Sequence, residues 1–299
     1  MADKVEQMRR EARHKRFRCG LALIVGLVTA VLVVSALSRL SLSPGGASAK
    51  AARLAPPAVS ARAAAVIDRT TGAVLYSRKG SLRLPPASLT KVMTALLVLE
   101  HVRNLDSYAR VPSEAVGQRG VAVGLRVGDR ITIRNLLRGS LTKSASDCSI
   151  TLAHYVAGTE KAFVAMMNAE AKRLGMINTH FANSTGIRAP DHYSSAMDLA
   201  RLARVAMKNA RFRPFVAVWQ THVRWPPHND VVVRSRNWLV RYYSWGNGVK
   251  TGNSPVAGIC MIASGTYRSR ALIVVTLHER SLVSERADVL KLFRYGSRR

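Results

Sequence analysis

Three hydrophobic patterns follow one another along the 299 residues, and their order predicts the layout. Residues 19–38 run without a charge. At about 1.5 Å rise per residue, a helix of that length reaches roughly 30 Å, enough for the hydrocarbon core of a bilayer. Ala64-Ala65-Val66-Ile67 and Val74-Leu75-Tyr76 then predict two short strands, joined as a hairpin through a loop ending at Gly72. Past Leu84-Pro85-Pro86-Ala87 the apolar spacing becomes helical, from Ser88 through Val92, Leu96 and Leu99. Helices are predicted over 144–157, 160–174 and 195–207, the last opening with Ser195 and Asp198 at capping-box spacing. Strand character returns after Asn247, over 258–263 and 271–276, and residues 284–294 read as a terminal helix. Strands at both ends with helices between them predict an α/β layer fold: a sheet assembled from the two ends and a helical insert.

Charge adds a direction to the first pattern. Residues 1–18 carry seven basic side chains (Lys4, Arg9, Arg10, Arg13, Lys15, Arg16 and Arg18) and three acidic ones. A basic cluster ahead of an apolar span keeps the amino terminus cytoplasmic and exports the rest of the chain. The span is long for a cleaved signal and is expected to be a retained signal-anchor, with Ala47-Ser48-Ala49 as the alternative cleavage site. Residues 39–61, rich in Ser, Ala, Gly and Pro, read as a linker, and 62–299 as one folded domain.

The whole chain holds 46 Lys and Arg against 17 Asp and Glu, and +25 of its +29 net charge lies beyond residue 18. Attraction to an anionic envelope surface or polymer is one explanation, and the compositional habit of an arginine-rich genome is the other. Helix-turn-helix, zinc-finger and RNA-binding signatures are missing, which together with export argues against nucleic acid. Three cysteines exclude a disulfide scaffold. Cys148 and Cys260 read as buried free thiols, and His192 and Asp198 as packing and capping groups, not zinc ligands.

Two short motifs carry chemistry. Ser88-Leu89-Thr90-Lys91 places a hydroxyl and an amine three residues apart, hence on one face of a helix. A serine becomes a nucleophile when a neighbouring base takes its proton, and a neutral lysine can be that base. Lys250-Thr251-Gly252, in a predicted strand, offers a cation, a hydroxyl and open backbone N–H groups to an anionic substrate. Either motif alone is weak; S-x-x-K followed by K-T-G in this order and separation is a signature of penicillin-binding proteins and class A β-lactamases.

Over about 63–296 the chain resembles the serine-type D-alanyl-D-alanine carboxypeptidases, the low-molecular-mass penicillin-binding proteins. The resemblance rests on Pro86-Ala87-Ser88-Leu89-Thr90-Lys91-Val92-Met93-Thr94-Ala95, Phe181-Ala182-Asn183-Ser184-Thr185-Gly186, His192-Tyr193-Ser194-Ser195-Ala196-Met197-Asp198 and Gly248-Val249-Lys250-Thr251-Gly252, with 258–264 as a further matching strand. It implies a β-lactamase/transpeptidase-like α/β fold, an antiparallel sheet flanked by helices plus a helical subdomain. It implies Ser88 as the acylated nucleophile, Lys91 as its base and Ser144 as the proton relay to the leaving amine. Lys250, Thr251, Gly252 and Asn253 would bind substrate, the first two through its terminal carboxylate. The backbone N–H groups of Ser88 and Asn253 would form the oxyanion hole. A second cation beside Lys91, together with partial burial, is expected to lower its pKa.

The middle motif departs from the family: Ser144-Ala145-Ser146 stands where Ser-x-Asn is usual, so Ser146 replaces an amide that would bind substrate. Arg286 is a candidate for the carboxylate pocket. No Glu-x-x-Leu-Asn loop is present to deacylate a penicillin adduct, so β-lactams are expected as covalent inhibitors. The expected activity is D-Ala-D-Ala carboxypeptidation of peptidoglycan stem peptides at the extracytoplasmic face of the inner membrane, without metal or cofactor. The short stretch after the last strand also resembles members that cut peptide cross-links, so DD-endopeptidation is the alternative. A penicillin- or peptidoglycan-binding protein with catalysis weakened at Ser146 is the other.

Overall fold

The computed structural model describes residues 55–299 apart from residue 228. The expected cytoplasmic tail, apolar span and most of the linker lie outside the described residues, among which no helix is long and apolar enough to cross a membrane. The elements are β1 (Ala63–Asp68), β2 (Val74–Arg78), α1 (Lys91–His101), β3 (Tyr108–Arg110), β4 (Arg130–Thr132), α2 (Ile133–Arg138), α3 (Ser146–Ala157), α4 (Glu160–Arg173), α5 (Ala196–Lys208), α6 (Arg213–Val216), β5 (Gln220–Trp225), β6 (Asn229–Arg234), α7 (Trp238–Tyr242), β7 (Gly246–Ser254), β8 (Gly258–Tyr267), β9 (Arg270–Glu279) and α8 (Leu282–Gly296).

The two ends of the domain build one antiparallel sheet in the order β2-β1-β9-β8-β7, as the strand-helix-strand pattern predicts. Its central strands are apolar at nearly every position because both faces are covered. Ala64, Val66, Met261, Ala263, Leu272 and Val274 pack with Val289, Leu292 and Phe293 of α8. Their neighbours Ala65, Ile67, Ile262, Ile273 and Val275 face the helical layer on the other side. Each such larger aliphatic side chain contributes roughly 1.5–3 kcal/mol by leaving water. In that layer α1 is buried from Lys91 to Leu99, so the helix carrying the S-x-x-K lysine is the centre of the core.

Boundaries differ where caps or loops intervene. Ser195 accepts from Asp198 N–H at 3.2 Å, but the Asp198 carboxylate turns away to Asn178 N–H and Thr179 Oγ1, so half of the expected capping box forms. The terminal helix starts at Leu282, two residues earlier than expected, because Ser281 and Ser284 cap each other reciprocally. At the domain's start, Val59 and Ala61 are buried, and the N–H groups of Ser60 and Ala61 donate to Asp288. The end of the stretch read as linker is therefore packed onto α8. Two ribbons, β3–β4 and β5–β6, occupy regions in which the apolar pattern predicts no element.

Candidate active site

Ser88 sits half-buried in a single 3₁₀ turn, 87–90, that leads directly into α1. The turn is set by a chain of hydrogen bonds. Ala182 N–H donates to His192 Nδ1 at 3.1 Å, which leaves Nε2 to donate to Thr90 Oγ1 at 2.9 Å. Thr90 Oγ1 in turn donates to the carbonyl of Ala87 at 2.9 Å. Burial holds His192 at a pKa of about 4, so the neutral ring that this chain needs is present at neutral pH. The expected packing role of His192 thus acquires a specific content: it fixes the residue before the nucleophile, which adopts a positive φ of 48°.

One helical turn on, Lys91 Nζ lies 3.3 Å from Ser88 Oγ and donates to the carbonyl of Thr185 at 2.6 Å. Lys91 is 1% exposed. Burial brings its pKa from 10.5 down to about 7, against the opposing pull of Cys148 and Asp147. Burial is complete here, not partial as the sequence suggested, and it is the dominant cause. The Thr185 carbonyl is presented by a loop tied to Asn183 Oδ1, which accepts from Thr185 N–H, Thr185 Oγ1 and Gly186 N–H. Thr94 of α1 closes the arrangement by donating to the carbonyl of Ser184.

Lys250 and Thr251 lie on β7, the edge strand, whose unpaired side faces the cleft. Lys250 Nζ donates to Ser144 Oγ at 3.0 Å and to the carbonyl of Thr251 at 2.9 Å. It is 3% exposed, and burial first, then Lys91 and Arg236, hold its pKa well below the usual lysine range. Two buried amines thus flank the hydroxyls of Ser88 and Ser144, and an incoming carboxylate would favour the charged form of Lys250. Gly252 lets β7 pass the nucleophile closely: a Cβ there would stand 3.1 Å from Pro86 O and 3.2 Å from Ser88 N.

Ser144 lies outside the helix predicted for it. A π-turn over 139–143 ends in Ser144 with φ 69° and ψ 30°, and α3 begins two residues later. The left-handed kink directs Oγ to Lys250 instead of along the helix. Ser146, the first residue of α3, is buried behind Val121, whose carbonyl accepts its N–H at 2.7 Å. Val121 lines the cleft, so Ser146 lies one hydrogen bond from its wall. Asp147 beside it accepts from the N–H groups of Val123, Gly124 and Leu125 at 3.0–3.2 Å and of Cys148 at 2.8 Å, which holds this wall in place. Asp147→Ala would strand several N–H groups and is expected to cost about 3 kcal/mol, a fall of roughly 6–12 °C in Tm by calorimetry. Cys148 and Cys260 are free and buried, as expected.

The cleft has a volume of about 520 Å³, and Ser88, Ser144, Thr251, Gly252, Asn253 and Arg286 all reach it. The structure therefore brings together the residues selected from the sequence, with Lys91, Lys250 and Ser146 just beneath the surface. Thr185 stands in one of the matching stretches but was given no role, since it acts through its backbone, and the motifs gave no sign of Arg234, Arg236, Trp219 and Arg241, which also line the cleft. Glu285 lines it too: Trp238 Nε1 donates to its Oε2 at 2.9 Å, Oε1 is unpartnered, and burial pushes the carboxyl up to about 7.

Known proteins share this arrangement of elements. The Streptomyces K15 DD-transpeptidase superposes with a TM-score of 0.76 at 30% identity, covering 80% of this chain and 98% of that one. The D-alanyl-D-alanine carboxypeptidase DacF of Bacillus subtilis is 32% identical over 240 residues, 79% of this chain, which spans 62% of that protein's length. A D-alanyl-D-alanine endopeptidase of Pseudomonas aeruginosa is 33% identical over 279 residues, covering 91% of this chain and 87% of its own. The family profile described as D-alanyl-D-alanine carboxypeptidase matches residues 49–281. With most of its length matched, the chain belongs to the D-alanyl-D-alanine carboxypeptidase family.

Proposed function

We propose that the chain is a penicillin-sensitive serine D-Ala-D-Ala carboxypeptidase of the bacterial cell envelope, acting on peptidoglycan stem peptides. The observation that carries this reading is the fully buried Lys91 amine, with a pKa of about 7, 3.3 Å from the hydroxyl of Ser88 at the floor of an open cleft. In its neutral form Lys91 takes the Ser88 proton as Oγ attacks the penultimate D-Ala carbonyl. The N–H groups of Ser88 and Asn253 hold the developing oxyanion. Ser144, bonded to Lys250, passes a proton to the leaving nitrogen as the C–N bond breaks and terminal D-Ala departs. Lys250, Thr251 and Arg286 hold the departing residue's carboxylate. Water, activated by the same lysine, then cleaves the ester and restores Ser88. The anchor expected in 19–38 would keep this domain at the outer face of the inner membrane.

Two measurements test the reading. Benzylpenicillin is expected to add one penicilloyl group, located on Ser88 by tandem mass spectrometry. Diacetyl-L-Lys-D-Ala-D-Ala is expected to release D-Ala. An adduct on another residue, or none, would defeat it.

A further inference from the structure

The cleft is larger and more cationic than a terminal D-Ala requires. Clefts of roughly 300–1,000 Å³ take drug-sized ligands, and this one, at about 520 Å³, lies in that range. Its lining includes Ser144, Arg236, which lies near enough to disfavour the Lys250 ammonium, and Arg234, Arg241 and Trp219. The Arg241 guanidinium stacks 4.0 Å from the centre of the Trp219 ring and 4.9 Å from that of Tyr242, so its plane is held before any ligand arrives. Arg234 is tethered through Nε to Gln220 at 2.9 Å, leaving its outer nitrogens for a ligand. Among the described residues neither arginine forms a salt bridge. The one acidic residue among the described residues lining the cleft, Glu285, is 1% exposed and bonded to Trp238.

Arginines that are oriented, free of carboxylate partners and grouped in the lining of a substrate cleft match a planar anion. The family reading puts the leaving residue's own carboxylate on Lys250 and Thr251, with Arg286 a candidate beside them, which leaves this pair in the same cleft without an assigned ligand group. We propose that Arg241, stacked on Trp219, and Arg234 form a subsite for a second carboxylate on the leaving group. The inference rests on the serine-peptidase reading above and deepens it: the preferred substrates are those whose leaving group carries an additional carboxylate, as a second stem peptide in a cross-link does. The reaction is the same acyl transfer, with the C–N bond broken and the leaving amine protonated.

The test compares diacetyl-L-Lys-D-Ala-D-Ala with diacetyl-L-Lys-D-Ala-D-Glu, which differ by one side-chain carboxylate on the leaving residue. Wild type is expected to release D-Glu with a kcat/KM about tenfold above that for D-Ala, the gain falling on KM and shrinking with added salt. In the R234A/R241A double variant the ratio is expected to drop to about one. Arg241→Lys, which keeps the charge but loses the planar fork, should give an intermediate ratio. A wild-type ratio of one or less, or a ratio unchanged in the double variant, would overturn the subsite. Failure of the underlying reading would look different: neither peptide cleaved, and no penicilloyl group on Ser88.

Discussion

Lys91→Met is expected to slow acylation of Ser88 by benzylpenicillin about 1,000-fold or more, within the range that loss of a positioned general base produces. Among the described residues Lys91 Nζ is the one side-chain group bonded to Ser88 Oγ, which makes it the group placed to take the proton. In wild type, only the neutral amine can take the proton. Acylation should therefore rise about tenfold per pH unit on the acid side and level off above about pH 7, where burial has placed the Lys91 equilibrium. Stability should respond with a separate signature. The unfolded chain holds the lysine proton up to about pH 10, whereas the folded chain releases it at about 7, so unfolded molecules bind more protons between those values. Wild-type stability from this group accordingly rises with pH across the window, and the full penalty of burying the ammonium applies below it. Lys91→Met carries no such penalty. Its Tm relative to wild type should be higher at pH 6 than at pH 9, while its activity is low at both. Stopped-flow acylation and calorimetry over about pH 5–10 check both limbs. A flat profile through pH 7, or acylation of the variant at the wild-type rate, would remove Lys91 from the role of base.

Which parts of this site can be read in the sequence depends on how each residue acts. Ser88, Lys91, Lys250 and Thr251 act through side chains at short, fixed spacings on single elements, and S-x-x-K and K-T-G express those spacings directly. The sheet was legible for a similar reason: uninterrupted apolar strands at both ends of the domain have to be covered on both faces, which places them in the middle of a layered fold. Ser144 was legible as a residue but not as a conformation, since nothing in Ser144-Ala145-Ser146 announces a π-turn ending in a left-handed serine. The depth of Ser146 was hidden for the same reason. Ser146 lies one hydrogen bond from Val121, a cleft-lining residue in the segment that Asp147 holds. The β5–β6 ribbon escaped detection because Thr221, Val223 and Trp225 alternate with Arg and His over only six residues, too short a run to separate from loop. Arg234 of that ribbon, Trp219 just before it and Arg241 come from separate elements, so the cationic part of the cleft lining could not be assembled from linear spacing.

Gly186→Ala is expected to cut acylation of Ser88 by at least about 100-fold without altering any side chain in the cleft. Gly186 belongs to the loop that offers the Thr185 carbonyl to Lys91, and its φ is 83°. A Cβ there would fall 1.9 Å from the carbonyl oxygen of Ala87 and 2.9 Å from Ser88 N. Those are backbone atoms, so relief requires the nucleophile's turn or the Lys91-binding loop to move, by on the order of 1 Å, and a misplacement of that size suffices for about a hundredfold loss. The same substitution also places a Cβ in the left-handed region, at roughly 1–2 kcal/mol. Gly175→Ala separates the two effects. Gly175 has a similar φ of 68° but nothing within 4 Å of its Cβ position, so the variant bears the backbone strain without the collision. Both variants should lose a few degrees of Tm, but only Gly186→Ala should lose acylation. Equal acylation rates in the two would show that the contact between this loop and the Ser88 turn does not position the nucleophile. A loss confined to Gly186→Ala would make the glycine of Asn183-Ser184-Thr185-Gly186 a positioning residue that acts through backbone contact alone.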